Sequence, residues 1–176
     1  MAAPLGCALM LVSLTIAAAN AQQLDEYQVK AAFLYNFARF VEWPPDAFRN
    51  SSEPFRICVL GPDPFGRALD EFVDGKTIGS RPVLVRRISN LPPPGECNLL
   101  YVSSTAGKGI LSALAASVMP GILTVGEANS PSSRSVIINF IPENGKIRFQ
   151  INADIAARTR LHISSKLMNL AQAGTR

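Results

Sequence analysis

The sequence is short of most side chains that metal and nucleophile chemistry need. It has one histidine, His162, and three cysteines, which excludes a multi-histidine metal centre and argues against a soft-metal cage. No G-x-S-x-G, H-E-x-x-H, G-x-x-x-x-G-K-[ST] or G-x-G-x-x-G run occurs. The nucleophile elbow, the zincin helix, the P-loop and the dinucleotide fingerprint therefore have no carrier. The nearest approach to a phosphate loop, Gly61-Pro62-Asp63-Pro64-Phe65-Gly66, has prolines where a cradle needs backbone N–H donors. A plain strand-to-helix turn is expected there. Charged residues make up 17% of the chain and only Arg86 and Arg87 are adjacent basic residues. The net charge of +4 thus reads as a solvated basic surface, and nucleic acid is not an expected partner. Expected cofactors and metals are none, and no catalytic residue stands out.

One apolar run is present, from Leu5 to Ala19, uncharged and shorter than a membrane span. It reads as a signal-peptide core, although no Lys or Arg precedes it. Ala19-Asn20-Ala21 supplies the small-x-small site for cleavage before Gln22. The expectation is a signal peptide over 1–21 and a periplasmic single domain over 22–176, about 155 residues long and large enough for a real core. With Cys7 in the leader, Cys58 and Cys97 remain. In an oxidising compartment one structural disulfide is the leading reading. Two buried thiols that never meet are the alternative, and a redox dithiol is disfavoured because the C-x-x-C spacing is lacking.

Apolar residues recur at helical spacing from Val29 to Glu42, with Val29, Phe33, Phe37 and Phe40 on one side and Leu34, Ala38 and Val41 on a second. The spacing predicts a helix with two faces to bury, stopped by Trp43-Pro44-Pro45. The segments 55–61, 98–104 and 122–126 read as apolar core strands, 81–88 as a weakly alternating strand, and 64–73 and 108–119 as helices. Segments 136–140 and 146–152 alternate around Pro142-Glu143-Asn144-Gly145 and predict an antiparallel hairpin. Asp154 is placed to cap a last helix over 155–171. The order predicts an α/β fold: a mostly parallel central sheet with helices on both faces, then a C-terminal antiparallel hairpin and a final helix.

Two groups of residues carry the functional expectation. Phe37, Phe40, Val41 and Trp43, at the end of the first helix, are candidate partner or dimer contacts, against the plainer reading that the aromatics are core. Arg158, Arg160 and His162 are candidate contacts for a small anion or an acidic partner, His162 sharing a predicted helix face with Arg158 and Lys166 and Arg160 lying on the other edge, against the plainer reading of a solvated face. Asp63, Asp70, Glu71 and Asp74 read as helix surface.

The blocks VKAAFLYNFARFVEWP at 29–44, ICVLGPDPFG at 57–66, CNLLYVS at 97–103, ILTVGE at 122–127, and IRFQIN with LHISSKLMNLA between 147 and 171 together resemble the YfiR-type periplasmic regulators. That resemblance implies a protein without enzymatic activity. Such a protein binds the periplasmic part of an inner-membrane diguanylate cyclase and lowers cyclic-di-GMP output and biofilm formation. It also implies a homodimer, in some relatives sequestered by an outer-membrane lipoprotein, and it places Cys58 and Cys97 at the family's disulfide positions. The sequence departs from some relatives in lacking a second cysteine pair around Ser132 to Asn139 and in having Arg160 where glycine is frequent. A periplasmic small-ligand receptor is the alternative, with a crevice at the strand ends near Gly61, Ser104 and Gly126. An enzyme is the third reading.

Overall fold

Three short runs of consecutive apolar residues take the centre of a seven-stranded sheet. The computed structural model describes residues 26–173, so the leader, its cleavage position before Gln22 and Cys7 lie outside the described residues. A first helix, α1, occupies 26–39. It is followed by β1 (Val41–Glu42), a 3₁₀ turn (Pro45–Ala47), β2 (Phe55–Leu60), α2 (Arg67–Val73), β3 (Thr77–Ile78), β4 (Arg81–Ile88) and β5 (Leu99–Val102). Then come α3 (Lys108–Ala116), β6 (Leu123–Glu127), β7 (Ile138–Glu143), β8 (Lys146–Ile151), α4 (Ala153–Ala156), β9 (His162–Ile163) and α5 (Ser165–Ala173).

The sheet order is β3-β4-β2-β5-β6-β7-β8. Strands β4, β2, β5, β6 and β7 run parallel, and β3 and β8 pair antiparallel at the two edges. Strands β2, β5 and β6 are buried almost throughout, which is why they read as continuous apolar runs rather than alternating ones. The chain moves from β2 to β4 in one direction and from β5 to β6 in the other. Right-handed crossovers in opposite directions put their helices on opposite faces, and the packing agrees. Leu69 and Val73 of α2 join Leu34 and Phe37 of α1 and Leu167 of α5 over Ile57, Val59, Tyr101 and Val125. Leu114 of α3 packs with Cys58, Leu60, Leu100 and Val102, the alternate positions of the same strands.

The disulfide joins Cys58 of β2 to Cys97, two residues before β5, with the Cα atoms 5.9 Å apart. Both sulfurs lie on the α3 side. The bridge therefore ties β2 to β5, parallel neighbours in the sheet that the chain separates by α2, β3 and β4.

Two segments depart from the sequence expectation. The first helix stops at 39, not 42, because Val41 and Glu42 pair with Ile163 and His162 as a separate two-stranded sheet, and the Ser164 N–H bonds to the Phe40 carbonyl. The expected last helix over 155–171 is broken into α4, β9 and α5. Asn152, rather than Asp154, caps α4 by accepting from the Ile155 N–H at 3.1 Å. The Thr159 hydroxyl donates to the Ala156 carbonyl at 2.7 Å, and Arg160 sits at φ 59°, a left-handed conformation that ends a helix. Arg158, His162 and Lys166 consequently do not share a helix face.

Candidate functional site

The most developed polar constellation is one that sequence reasoning missed. Lys30 lies on the buried stripe of α1 with Leu34 and Phe37 and is 1% exposed. Its ammonium donates to both oxygens of Glu127 at 2.8 and 3.0 Å and lies 2.5 Å from Glu26 one turn earlier. Tyr101, fully buried on β5, donates its hydroxyl to the same Glu127 carboxylate at 2.7 Å. The Tyr27 ring covers the ammonium at 4.5 Å from its centroid. Burial pulls the Lys30 ammonium toward its neutral form, but the hydrogen bonds it donates to Glu127 and Glu26 outweigh that, and its pKa lies above the ordinary lysine value. Burial first, and the Glu127 charge second, push the Tyr101 hydroxyl far above the ordinary tyrosine value. The Lys30 ammonium and both Glu127 oxygens already have partners, so the cluster acts as a clamp holding α1 against the carboxyl ends of β5 and β6. The sequence carried a faint signal. Lys30 is in phase with the apolar residues of its helix, and Glu127 ends a buried strand.

The aromatic candidates separate into buried and half-buried. Phe37 is 1% exposed and packs among Phe140, at 5.7 Å, and Phe149, at 4.8 Å between ring centroids. Val41 is buried as well. Both are core in this conformation, the plainer of the two readings, and offer a partner almost no surface. Phe40 and Trp43 remain half-buried. Trp43 meets Phe55 edge-on at 4.9 Å and its indole N–H donates to the Asn98 carbonyl at 3.4 Å. The β1–β9 register sets Trp43 opposite Leu161 and Phe40 opposite Ser164. By strand alternation Trp43, Leu161 and Ile163 fall on the Val41 side of this small sheet and Phe40 is out of phase with them, each of the four half-buried. Lys166 stands 5.2 Å over the Phe40 ring.

The basic candidates are dispersed. Arg160 pairs with Asp46 through Nη2, at 2.6 and 2.8 Å. Its guanidinium lowers the Asp46 pKa below the ordinary carboxylate value, chiefly through the hydrogen bond. His162 is exposed on β9 opposite Glu42. Arg158 turns instead toward a cavity that it shares with Arg134.

The sheet order of the parallel strands reverses between β2 and β5, the place where open α/β sheets form a crevice. A concavity of ≈ 500 Å³ lies there, lined by Gly61, Pro62, Arg87 and Gly107 among others. Its floor is tight. A side chain at Gly61, which has φ 90°, would come within 3.3 Å of Ala106 and 3.4 Å of Ser103. Arg87 is also occupied, bonding to Asp63 at 3.0 Å, to Asp70 and to the Gly66 carbonyl at 2.8 Å. Asp70 is held below the ordinary carboxylate range, first by its hydrogen bond from that guanidinium. The residues at this crevice are arranged to fasten the β2–α2 turn.

Ser132 and Asn139, around which a second cysteine pair is lacking, are both buried. Ser132 shares a hydrogen bond with Ser130 at 2.7 Å, and Asn139 donates to the Ser133 carbonyl at 2.8 Å. Among the described residues no group of three His, Cys, Asp or Glu side chains is placed to hold a metal ion. No helix of these residues is long and apolar enough to cross a membrane.

A family model described as YfiR/HmsC-like matches residues 27–172, which takes in all the elements above except the first residue of α1 and the last of α5. No curated protein matches the chain.

Proposed function

The chain belongs to the YfiR/HmsC-like family, and from that premise we propose that it is a periplasmic, non-enzymatic regulator that works by binding. Its target in this reading is the periplasmic part of an inner-membrane diguanylate cyclase, whose output of cyclic-di-GMP, and with it biofilm formation, it holds down. A homodimer is the proposed working form, and an outer-membrane lipoprotein is a proposed second partner that would sequester it.

The observation that carries the reading is the set of half-buried apolar side chains Phe40, Trp43, Leu161 and Ile163 around β1–β9. It is edged by Lys166 and by the Arg160–Asp46 pair. An apolar centre with large aromatics and a charged rim is the composition of a protein-docking surface. Both aromatics are anchored from below by contacts within the chain, so little side-chain entropy remains to be lost on binding.

The test is a Phe40→Ala, Trp43→Ala double variant expressed in place of the native chain. Hot-spot aromatics cost about 2 kcal/mol or more each on truncation, so binding to the cyclase's periplasmic part should weaken by well over tenfold and cellular cyclic-di-GMP should rise. A variant that keeps its fold by circular dichroism and still dimerises and represses at the native level would overturn the assignment.

A further inference from the structure

We propose that the cavity between the end of α3, the β6–β7 loop and α4 is a binding site for one small oxyanion, gripped by Arg134 and Arg158. The cavity measures ≈ 80 Å³ and is lined on its polar side by Arg134, Arg158 and Ser135 and on its apolar side by Leu114, Val118 and Met119. A single water needs roughly 10–15 Å³ by the same measure, so the space admits a group of phosphate or carboxylate size.

The charge arrangement points to an anion. No carboxylate lines the cavity, and among the described residues neither guanidinium has an ion-pair or hydrogen-bond partner. Most other arginines among the described residues do. Arg56 pairs with Glu53, Arg86 with Glu96, Arg87 with Asp63 and Asp70, and Arg160 with Asp46. Two like charges facing one concavity repel each other unless an anion lies between them. The end of α3 does not fill that need, because its Ala113 and Leu114 carbonyls already accept from the Ser117 hydroxyl and N–H. The Met119 carbonyl likewise accepts from the Ile122 N–H.

Guanidinium forks match the oxygen spacing of phosphate and carboxylate alike. The ligand is either inorganic phosphate or the carboxylate of a small organic acid whose apolar end would lie on Val118 and Met119. The site is separate from the β1–β9 side chains and from the β2–β5 crevice, so its fate and that of the regulatory reading are independent.

The experiment is isothermal titration of the purified protein with sodium phosphate in one arm and sodium isobutyrate in the other. Both arms are run at matched ionic strength, with chloride as the control. The expected result is a saturable one-site isotherm in one of the arms, which also names the class of ligand. Arg134→Gln and Arg158→Gln should each weaken it at least tenfold. Arg134→Lys, which keeps the charge without the fork, should retain part of it, and Arg160→Gln should leave it unchanged. All three sites are exposed and the four variants are checked for native circular dichroism. The proposal is overturned if neither anion gives a saturable isotherm at 10 mM (about the weak limit of a millimolar site). It is equally overturned if Arg134→Gln and Arg158→Gln bind within threefold of the native chain, or if Arg160→Gln weakens binding as much as they do.

Discussion

Lys30 shows how one buried charge decides the placement of a whole helix. Its ammonium has two carboxylates within 3.0 Å, and without it Glu127 would keep only the Tyr101 hydroxyl. An uncompensated buried charge costs about 3–5 kcal/mol. Lys30→Met should therefore lower the urea midpoint by an amount of that order. Lys30→Met combined with Glu127→Gln should recover a large part of the loss, since the stranded charge is then gone. A double-mutant cycle that finds the two changes additive would show that the pair is not coupled. Arg160 poses a backbone question instead. Its φ of 59° suits glycine, and its ion pair with Asp46 is exposed and worth little. Arg160→Gly should melt at or above the native temperature and Arg160→Ala below it. The reverse order in a thermal scan would mean that the ion pair, not the backbone, governs this turn.

At the scale of elements, the disulfide staples β2 to β5, neighbours in the sheet that are separated in the chain by α2, β3 and β4. It closes a loop with a sequence separation of 39, for which the chain-entropy relation gives about 4 kcal/mol. Reduction should lower the denaturant midpoint without disturbing the other elements. A midpoint that is the same with and without reductant would show that β2 and β5 are held by packing alone. The elements legible in the sequence were those whose burial pattern is set locally. The central strands are apolar on both faces, and the β7–β8 hairpin alternates around Asn144-Gly145 with both residues at positive φ. What was not legible depends on a distant partner. Val41-Glu42 continue a helical pattern, yet their backbone is taken by His162-Ile163, and that pairing also breaks the expected last helix. The same holds for the sites. Arg158, His162 and Lys166 share a face only on an unbroken helix, and the partner of Lys30, Glu127, lies 97 positions away.

Across the whole molecule, the titratable groups with displaced pKa values fall into two sets that leave the middle of the pH range quiet. Lys30, Tyr27 and Tyr101 are raised above their ordinary values of 10.5, 10.0 and 10.0. A raised group binds its proton more tightly in the folded chain, so its contribution is complete below the ordinary value and fades as pH climbs past it. Asp46, Glu53 and Asp70 are lowered from 3.8, 4.5 and 3.8 by hydrogen bonds from Arg160, Arg56 and Arg87. Their contribution is complete above those values and fades as pH falls through the folded ones. The acid side should be shallow, because Asp46 and its partner are exposed and solvent screens the pair. The alkaline side should be steep, because Tyr101 and Lys30 are almost fully buried around one carboxylate. Urea midpoints measured against pH should therefore lie on a plateau from roughly pH 5 to 9 and fall from about pH 10 upward. Tyr101→Phe separates the causes. It removes a titrating hydroxyl and one hydrogen bond to Glu127, which lowers the plateau by about 1–2 kcal/mol. It should also flatten the alkaline fall while leaving the acid limb in place. If the fall above pH 10 is as steep in Tyr101→Phe as in the native chain, the alkaline sensitivity belongs to Lys30 and the helix clamp rather than to the buried hydroxyl.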